Sequence, residues 1–219
     1  MAKDKIRGAA KAHVIYKLAD GTRVPGATTI TGLLNKPFLV TWANKLGLEG
    51  IDSSKYTDEA AAVGTLAHAL IQAHLQGETL DTTLYSPQQV DLAENAVLSF
   101  YEWLSHHKVE PLICETPLVS EALRYGGTMD CYCMLDGEPT LLDFKTGKAI
   151  YDEYFVQLAG YKNLLEEQGH PVAGCRILRV GRDETEGFEE RSVPDTGKYF
   201  EIFRRLLDVY YLKKELKWS

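Results

Sequence analysis

An acid and a base interrupt an apolar stretch in the middle of this chain. The segment LLDFKTGK, residues 141–148, places Asp143 and Lys145 two positions apart among residues typical of a buried strand. Residues two apart in a strand point to the same face, so the two charges are separated by about 6.6 Å along it. The pattern indicates either a solvated sheet face or an active site.

A predicted hairpin brings a second carboxylate opposite Asp143. Asp136-Gly137 between two strand-like runs predicts a two-residue turn, and this register pairs Asp130 with Asp143, their Cβ atoms about 4.5–5.5 Å apart. The alternative is a four-residue loop through Pro139, which fits poorly in a ladder. That loop also leaves Asp130, Asp143 and Lys145 on one face, whereas a three-residue loop would separate them.

This predicted face has the composition of a metal-dependent hydrolytic site. Two facing carboxylates repel each other, and one takes up a proton unless a cation lies between them. Lys145 supplies one positive charge, and the remaining negative charge suits a divalent ion with oxygen ligands, Mg²⁺ or Mn²⁺. Such an ion lowers the pKa of bound water, and a nearby lysine orients that water or acts as its base. The chemistry predicted is phosphodiester hydrolysis.

Two further residues are candidates for the same site. His68 lies on an otherwise apolar helical stripe with Gly64 one turn before it, and it is either a third metal ligand or a hydrogen-bonded core histidine. As a ligand it would favour Mn²⁺ over Mg²⁺. Glu115, predicted to be in mid-strand, either holds a second metal or a water, or pairs with Arg124.

Several polar residues nearby are candidates for contacting DNA. On the helix after the Asp143 strand, Tyr154, Gln157 and Tyr161 share one side, which is also what an ordinary amphipathic helix would show. The hydroxyl, amide and aromatic groups suit hydrogen bonding or stacking on a DNA strand. The complete predicted DNA-binding set is Gln157, Tyr161, Lys148, Tyr154 and Arg124.

Composition limits the class of protein. The 219 residues carry a formal net charge of −7, which argues against a protein that coats duplex DNA but allows a local cationic groove. No apolar run reaches the ~18 residues needed to cross a membrane. The four cysteines lack the spacing of a metal knuckle, which predicts a reducing, cytoplasmic setting.

The pattern of elements predicts an α/β fold with a mixed central sheet. Three strands are expected in PLICETPLVS, RYGGTMDCYCML and EPTLLDFKT, followed by a helix and a further strand. An N-terminal part, 1–56, is expected to hold a hairpin around Asp20-Gly21 and short helices, while 57–219 form the core. The helices of that core are predicted over Thr57–Gln76 with Thr57 as N-cap, from Ser86-Pro87, over Asp152–Gln168 and over Gly197–Leu216.

Four short segments in this order resemble the PD-(D/E)XK nuclease superfamily. They are GTLAH, GGTMD, LLDFKTGK and QLAGY, between Gly64 and Tyr161. The similarity is to the RecB-type branch with its phage exonucleases, CRISPR-adaptation exonucleases and mitochondrial genome maintenance exonuclease. VPGATTITGLL and Trp42 are similar to the opening segment of the phage and mitochondrial members, although Gly26-Ala27 stands where Ser-Val is common there.

The resemblance implies a restriction-endonuclease-like core and a set of roles. His68, Asp130, Asp143 and the backbone carbonyl of Phe144 would be metal ligands, and Lys145 the catalytic lysine. No iron–sulfur cluster is expected, because no cysteine precedes Cys114 or follows Cys175. The expected activity is that of an exonuclease on linear or single-stranded DNA in phage replication, recombination or repair, with any replication or recombination partner on a separate chain. The alternatives are a non-catalytic DNA-end-binding module and a structure-specific endonuclease.

Overall fold

A mixed five-stranded sheet with helices on both faces forms the centre of the computed structural model, which describes residues 5–7, 14–183 and 185–218. The strands are β1 (Lys5–Arg7), β2 (Tyr16–Lys17), β3 (Arg23–Val24), β4 (Thr79–Asp81), β5 (Val109–Cys114), β6 (Pro117–Ser120), β7 (Tyr125–Thr128), β8 (Cys131–Leu135), β9 (Glu138–Lys145), β10 (Gly174–Val180) and β11 (Phe188–Ser192). The helices are α1 (Ala27–Thr31), α2 (Pro37–Leu48), α3 (Ser53–Gln76), α4 (Pro87–Leu104), α5 (Asp152–Glu167) and α6 (Gly197–Glu215).

Strand β9 lies at the centre of the sheet, whose order is β11-β10-β9-β8-β5. It runs parallel to β10 and antiparallel to β8, so the sheet is mixed. One apolar cluster joins the sheet to α5 and α6, and a second joins it to α3 and α4. Covering both faces explains why β9 is an almost continuous apolar run. The predicted fold class, with its N-terminal hairpin and C-terminal helix, is confirmed.

The hairpin of β8 and β9 has the predicted two-residue turn. Asp136 and Gly137 both have positive φ, 52° and 91°, as a turn matching the strand twist requires. The ladder runs from Leu135↔Glu138 to Cys131↔Leu142, which is the predicted register. The four-residue alternative is wrong: Pro139 pairs with Met134 inside the ladder.

Two of the three predicted strands are broken. PLICETPLVS divides into β5 and β6 around Glu115, and RYGGTMDCYCML divides into β7 and β8 at Met129 and Asp130. The two pieces nearer the N-terminal hairpin, β6 and β7, leave the main sheet and pair with each other. A local cause is visible at Asp130: its side-chain Oδ2 accepts the Phe144 N–H at 2.8 Å, beyond the last backbone pair of β8 and β9.

The ends of the long helices agree in part with the prediction. Ser86 caps α4 through a reciprocal capping box with Gln89, and Gly77 ends α3 with φ of 68°, both as expected. The predicted N-cap of α3 is wrong, because Asp52 caps the helix and Thr57 lies one turn inside it. There the Thr57 hydroxyl donates to the Ser53 carbonyl at 2.7 Å. The short parallel pair of β1 and β4 was not predicted.

The N-terminal segment packs against β7. The Gly126 N–H donates to the Pro25 carbonyl at 2.9 Å, and the hydroxyls of Tyr16 and Thr128 are 3.0 Å apart. A Cβ atom on Gly126 would lie 2.4 Å from the Tyr16 ring, so only glycine allows this approach. The division at 1–56 and 57–219 stays a prediction; α3 crosses it, and residues 1–4 and 8–13 of its first part lie outside the described residues. Across the described ranges, no helix is both apolar enough and long enough to traverse a membrane.

Candidate metal and catalytic site

A cavity of about 800 Å³ opens where the N-terminal segment, α3, α5 and the broken strands meet. Its position follows from the two strand breaks, which turn β6 and β7 away from the sheet and leave the end of β9 accessible. The predicted site residues that line the cavity are His68, Glu115, Asp130, Asp143, Lys145, Gln157 and Tyr161. The structure therefore brings seven of the predicted residues together in one cavity, and their roles stay predictions. The sequence prediction did not include the wall that faces these residues.

Three of these side chains form a group that could hold a metal ion. One ligand atom from each of His68, Glu115 and Asp130 lies within 4.8 Å of the other two. An imidazole nitrogen and two carboxylate oxygens are donors suited to Mn²⁺ and acceptable to Mg²⁺. The group differs from the predicted ligand set, because it includes Glu115 while Asp143 lies outside it.

Asp130 connects this group to the sheet. Its Oδ1 is 3.2 Å from His68 Nδ1, and its Oδ2 accepts the Phe144 N–H. The carboxylate is therefore fixed at both oxygens, one by a strand and one by a helix. His68 is in turn positioned by the edge-to-face contact of its ring with Phe144, at 6.2 Å between centroids. Preorganised donors of this kind bind an ion at a lower entropic cost than mobile side chains do.

Glu115 reaches the group through an unusual backbone conformation. Its φ is 47°, in the left-handed region that a residue with a side chain rarely occupies. The Glu115 N–H is bonded to the carbonyls of Met129 and Asp130, at 3.1 and 3.3 Å, which holds this turn against the other strand break. Conformations of this cost persist where the surroundings enforce them, and they are concentrated at functional sites. The prediction of Glu115 in mid-strand was therefore wrong.

The position of Arg124 makes it a poor partner for Glu115. Arg124 lies in the turn that joins β6 to β7, whereas Glu115 precedes β6 at its other end. The four residues of β6 separate the two positions by roughly 13 Å. Arg124 is exposed, and its carbonyl accepts a hydrogen bond from the Tyr211 hydroxyl.

Asp143 and Lys145 form a buried ion pair at the floor of the cavity. Asp143 is 2% exposed, and its Oδ2 lies 2.5 Å from Lys145 Nζ, although the direction of approach is not that of a hydrogen bond. Burial raises the pKa of Asp143, and the Asp130 charge adds to this against the opposing charge of Lys145. Burial alone would lower the pKa of Lys145, but the charges of Asp143 and Asp130 outweigh it and raise that pKa.

Two tyrosines of α5 lie at the site, one of them beside the lysine. The Lys145 Nζ atom lies 4.9 Å from the centre of the Tyr154 ring, a cation–π geometry. Tyr161 is buried, and its hydroxyl accepts a hydrogen bond of 2.7 Å from Gln157 Nε2. Burial, followed by the charges of Asp143 and Asp130, raises the pKa of Tyr161 well above its usual range, so this hydroxyl keeps its proton.

Two glycines allow the close packing behind the site. A Cβ atom on Gly64 would lie 2.8 Å from Thr146 Oγ1, so glycine lets α3 approach the end of β9 closely. A Cβ atom on Gly127 would lie 2.6 Å from the Tyr161 ring. The close neighbour of Gly64 is therefore a side chain, that of the residue directly after Lys145.

Lys148 is not brought into the cavity. It is exposed and lines a separate cleft of about 360 Å³, where α3 and the start of α4 face the loop after β10. The residues that the sequence prediction missed belong to the opposite wall, which includes Tyr16, Arg23, Thr28, Thr29 and Tyr210. The segment VPGATTITGLL was the available signal, but it gave no indication of which core residues it faces.

Comparison with known proteins gives similarity in structure only. No protein-family model matches the chain. None of the curated proteins matches it. A protein from Eubacterium rectale with the provisional description of an exonuclease shares 12% identity and a TM-score of 0.44, over 72% of this chain and 69% of that one.

Two structures of an alkaline exonuclease from Laribacter hongkongensis are also similar. One shares 13% identity and a TM-score of 0.41, over 88% of this chain and 92% of that one. The other, a complex with dAMP, shares 14% identity and a TM-score of 0.35, over 73% and 91% of the two chains. These similarities carry no argument for function, and any functional conclusion rests on the chemistry of the site.

Proposed function

We propose that this protein is a metal-dependent deoxyribonuclease, and specifically an exonuclease on linear or single-stranded DNA in phage replication, recombination or repair. The observation that carries the proposal is that a candidate metal-binding group and a buried ion pair line the same cavity. The His68, Glu115 and Asp130 group could hold a divalent ion, and the buried Asp143–Lys145 pair lies beside it. The motif order that resembles the PD-(D/E)XK nucleases implies the same chemistry for His68, Asp130, Asp143 and Lys145, but it implies no role for Glu115.

The donor atoms fit Mg²⁺ or Mn²⁺, and the resemblance adds Asp143 and the Phe144 carbonyl to the proposed ligands. When bound, such an ion would lower the pKa of a water molecule and offset charge on phosphate oxygens. Asp130 contributes by presenting a carboxylate whose orientation is already fixed. His68 is the ligand expected to favour Mn²⁺.

Lys145 is proposed to act as a cation rather than as a base. The neighbouring carboxylates raise its pKa, so its ammonium keeps the proton at neutral pH. Asp143 and the face of the Tyr154 ring hold that ammonium in place. A fixed ammonium stabilises the negative charge that develops on a phosphate in the transition state, and it orients an attacking water by donating a hydrogen bond.

A line of aromatic rings favours a single strand as the substrate. From Tyr154, beside the lysine, centroid distances of 5.6 Å lead to Tyr151 and then to Phe38, which is 46% exposed. Exposed rings stack on unpaired bases, each contributing about 1–3 kcal/mol. Gln157, held by the Tyr161 hydroxyl, is proposed to contact the strand inside the cavity. Contacts from Lys148 and Arg124 to DNA outside the cavity stay predictions.

The test is degradation of labelled linear DNA, single- and double-stranded, in Mg²⁺ or Mn²⁺. We expect wild-type protein to shorten linear DNA and the variants Asp143→Asn and Lys145→Ala to do so at least about a hundredfold more slowly. Glu201→Gln, a change on the exposed face of α6, is the matched control and should retain full activity. Equal rates in wild type and both site variants would exclude the proposal.

A closed circular single strand distinguishes the alternatives. An exonuclease leaves it intact, whereas an endonuclease linearises it. Salt-dependent binding to DNA ends without cleavage in either metal would indicate a non-catalytic binding module instead. An intracellular location and a separate replication or recombination partner stay predictions.

A further inference from the structure

Two thiols lie directly behind the candidate metal group. Cys114 ends β5 and Cys131 begins β8, and the two residues are paired across these antiparallel strands. Their Sγ atoms are 3.4 Å apart, and all four cysteines of the chain are free thiols. A disulfide bond is about 2.0 Å long, so closing this one requires a movement of about 1.4 Å.

The two thiols differ in access to solvent. Cys131 is completely buried, whereas Cys114 is partly exposed at the strand break. Cys133, two residues along β8, is also buried, and its Sγ lies 3.7 Å from the Thr140 carbonyl. Cys175 is buried in β10 and packs in the apolar cluster on the other face of the sheet. Only Cys114 is therefore both accessible and in contact with a second thiol.

We propose that Cys114 and Cys131 form a modification site that low-molecular-weight disulfides oxidise to an intramolecular disulfide. Cys114 sulfur attacks one sulfur of the reagent, forming a mixed disulfide and releasing one thiol. Cys131 sulfur then attacks the Cys114 sulfur, the Cys114–Cys131 bond forms, and a second thiol leaves. The two protein thiols are oxidised by two electrons, and their protons end on the two released thiols, while one reagent disulfide is reduced.

The modification would act on both acidic residues of the metal group. Glu115 follows Cys114 and Asp130 precedes Cys131, so drawing the sulfurs together shifts both carboxylates. The backbone bonds from Glu115 N–H to the Met129 and Asp130 carbonyls link the same two breaks. This consequence rests on the proposed function; formation of the disulfide itself does not.

The experiment uses the full chain without added metal, incubated with oxidised glutathione. We expect loss of the mass of two hydrogen atoms, with the Cys114 and Cys131 peptides joined in a non-reducing peptide map, and reversal by dithiothreitol. Cys114→Ser should prevent the change. Cys175→Ser, a matched control on the other face of the sheet, should not.

Three results would overturn the proposal: an unmodified protein, a mixed disulfide at Cys114 that persists, or a bond from Cys114 to Cys133. Manganese titration of the oxidised and reduced proteins then tests the consequence separately, with an expected loss of affinity of at least about tenfold, or 1.4 kcal/mol. If the disulfide forms and DNA is never cleaved, the thiol site stands and the proposed nuclease function fails. If affinity is unchanged on oxidation, the coupling to the metal group is excluded.

Discussion

Each end of strand β8 is flanked by an aspartate whose carboxylate contacts a histidine ring, and the surroundings of the two pairs differ. At the first end, Asp130 Oδ1 meets His68 Nδ1 at 3.2 Å beside the cavity. At the other, Asp136 Oδ2 meets His107 Nδ1 at 2.7 Å beside the hairpin turn. An aspartate–histidine pair therefore occurs twice on one hairpin, and the five residues of β8 lie between the two aspartates.

The partners of each pair explain the difference. At the turn, Asp136 Oδ1 accepts the Lys108 N–H, while Glu190 accepts bonds from Trp103 and Arg176, so two carboxylates meet matching donors around packed rings. Among the described residues that line the cavity, the carboxylates Glu115, Asp130 and Asp143 lie beside an open space, together with Lys145 and the exposed Arg23. Carboxylates beside an open space can accommodate a cation, whereas a filled cluster of matched donors and acceptors stabilises secondary structure.

Removing the charge at the cavity end should have the largest effect on activity. In Asp130→Asn the side-chain oxygen still accepts the Phe144 N–H, but the negative charge on the metal group is lost. Because a bound metal contributes several kcal/mol to the transition state, we expect nuclease activity to fall at least about a thousandfold. The free energy of unfolding without metal should stay within about 1 kcal/mol of wild type. Unchanged cleavage and unchanged manganese affinity would show that the Asp130 end is structural, as the Asp136 end is.

Removing the cation separates the metal group from the lysine. Lys145→Met should reduce cleavage about a hundredfold to a thousandfold, because one fixed donor to the transition state is lost. Manganese affinity should not fall, since a positive charge beside the carboxylates has gone. The variant leaves Asp143 buried without its cation, so stability also falls. The double variant Asp143→Asn/Lys145→Met should recover stability and remain inactive, and recovered cleavage would contradict the role of Lys145.

A third substitution tests the turn end, where stability should change and chemistry should not. Glu190→Ala leaves the Trp103 and Arg176 donors without this partner, and we expect the free energy of unfolding to fall by about 1–3 kcal/mol. Cleavage per folded molecule should equal wild type. Denaturant unfolding measures the loss of stability, and an assay of cleavage per folded molecule measures activity. A loss of cleavage without a loss of stability would contradict the purely structural role of this end.

The smallest expected effect is the pH dependence of stability at the turn. The Lys108 N–H, followed by His107, lowers the pKa of Asp136. A carboxyl whose pKa is lower in the folded state stabilises the protein above its unfolded value of about 3.9, and the contribution disappears as pH falls through the folded pKa. Asp136→Asn should therefore lower the melting temperature slightly at pH 7, and by less once the pH has fallen well below about 3.9. An equal difference at both pH values would exclude the charge as its cause.

Local sequence signals predicted much of this molecule. Asp136-Gly137 predicted the turn and the register, and these predicted that Asp130 would share a site with Asp143. Signals of the same kind predicted the caps Ser86 and Gly77. In each case the deciding interaction lies within a few residues, so the pattern of residue types is sufficient.

What escaped prediction depends on interactions that no local pattern contains. The strand breaks arise where the Asp130 side chain bonds to Phe144 and where Glu115 takes a positive φ without being glycine. Glu115 in that conformation lies within 4.8 Å of His68 and Asp130, in a group that could hold a metal ion. The position of the opposite wall of the cavity was not predicted either. Its contact with β7 joins two residues that are 112 positions apart in the sequence.

The contact of Tyr16 with Thr128 sets an order of events during synthesis. The two residues are 112 positions apart, so Tyr16 is synthesised well before its partner on β7. At about 5–20 residues per second the delay is roughly 6–22 s. Pairings this distant in sequence also fold slowly once both partners are present. Throughout that interval the ring of Tyr16 is without its native neighbours on β7, and we expect a nascent chain of fewer than about 130 residues to be the form most prone to aggregation.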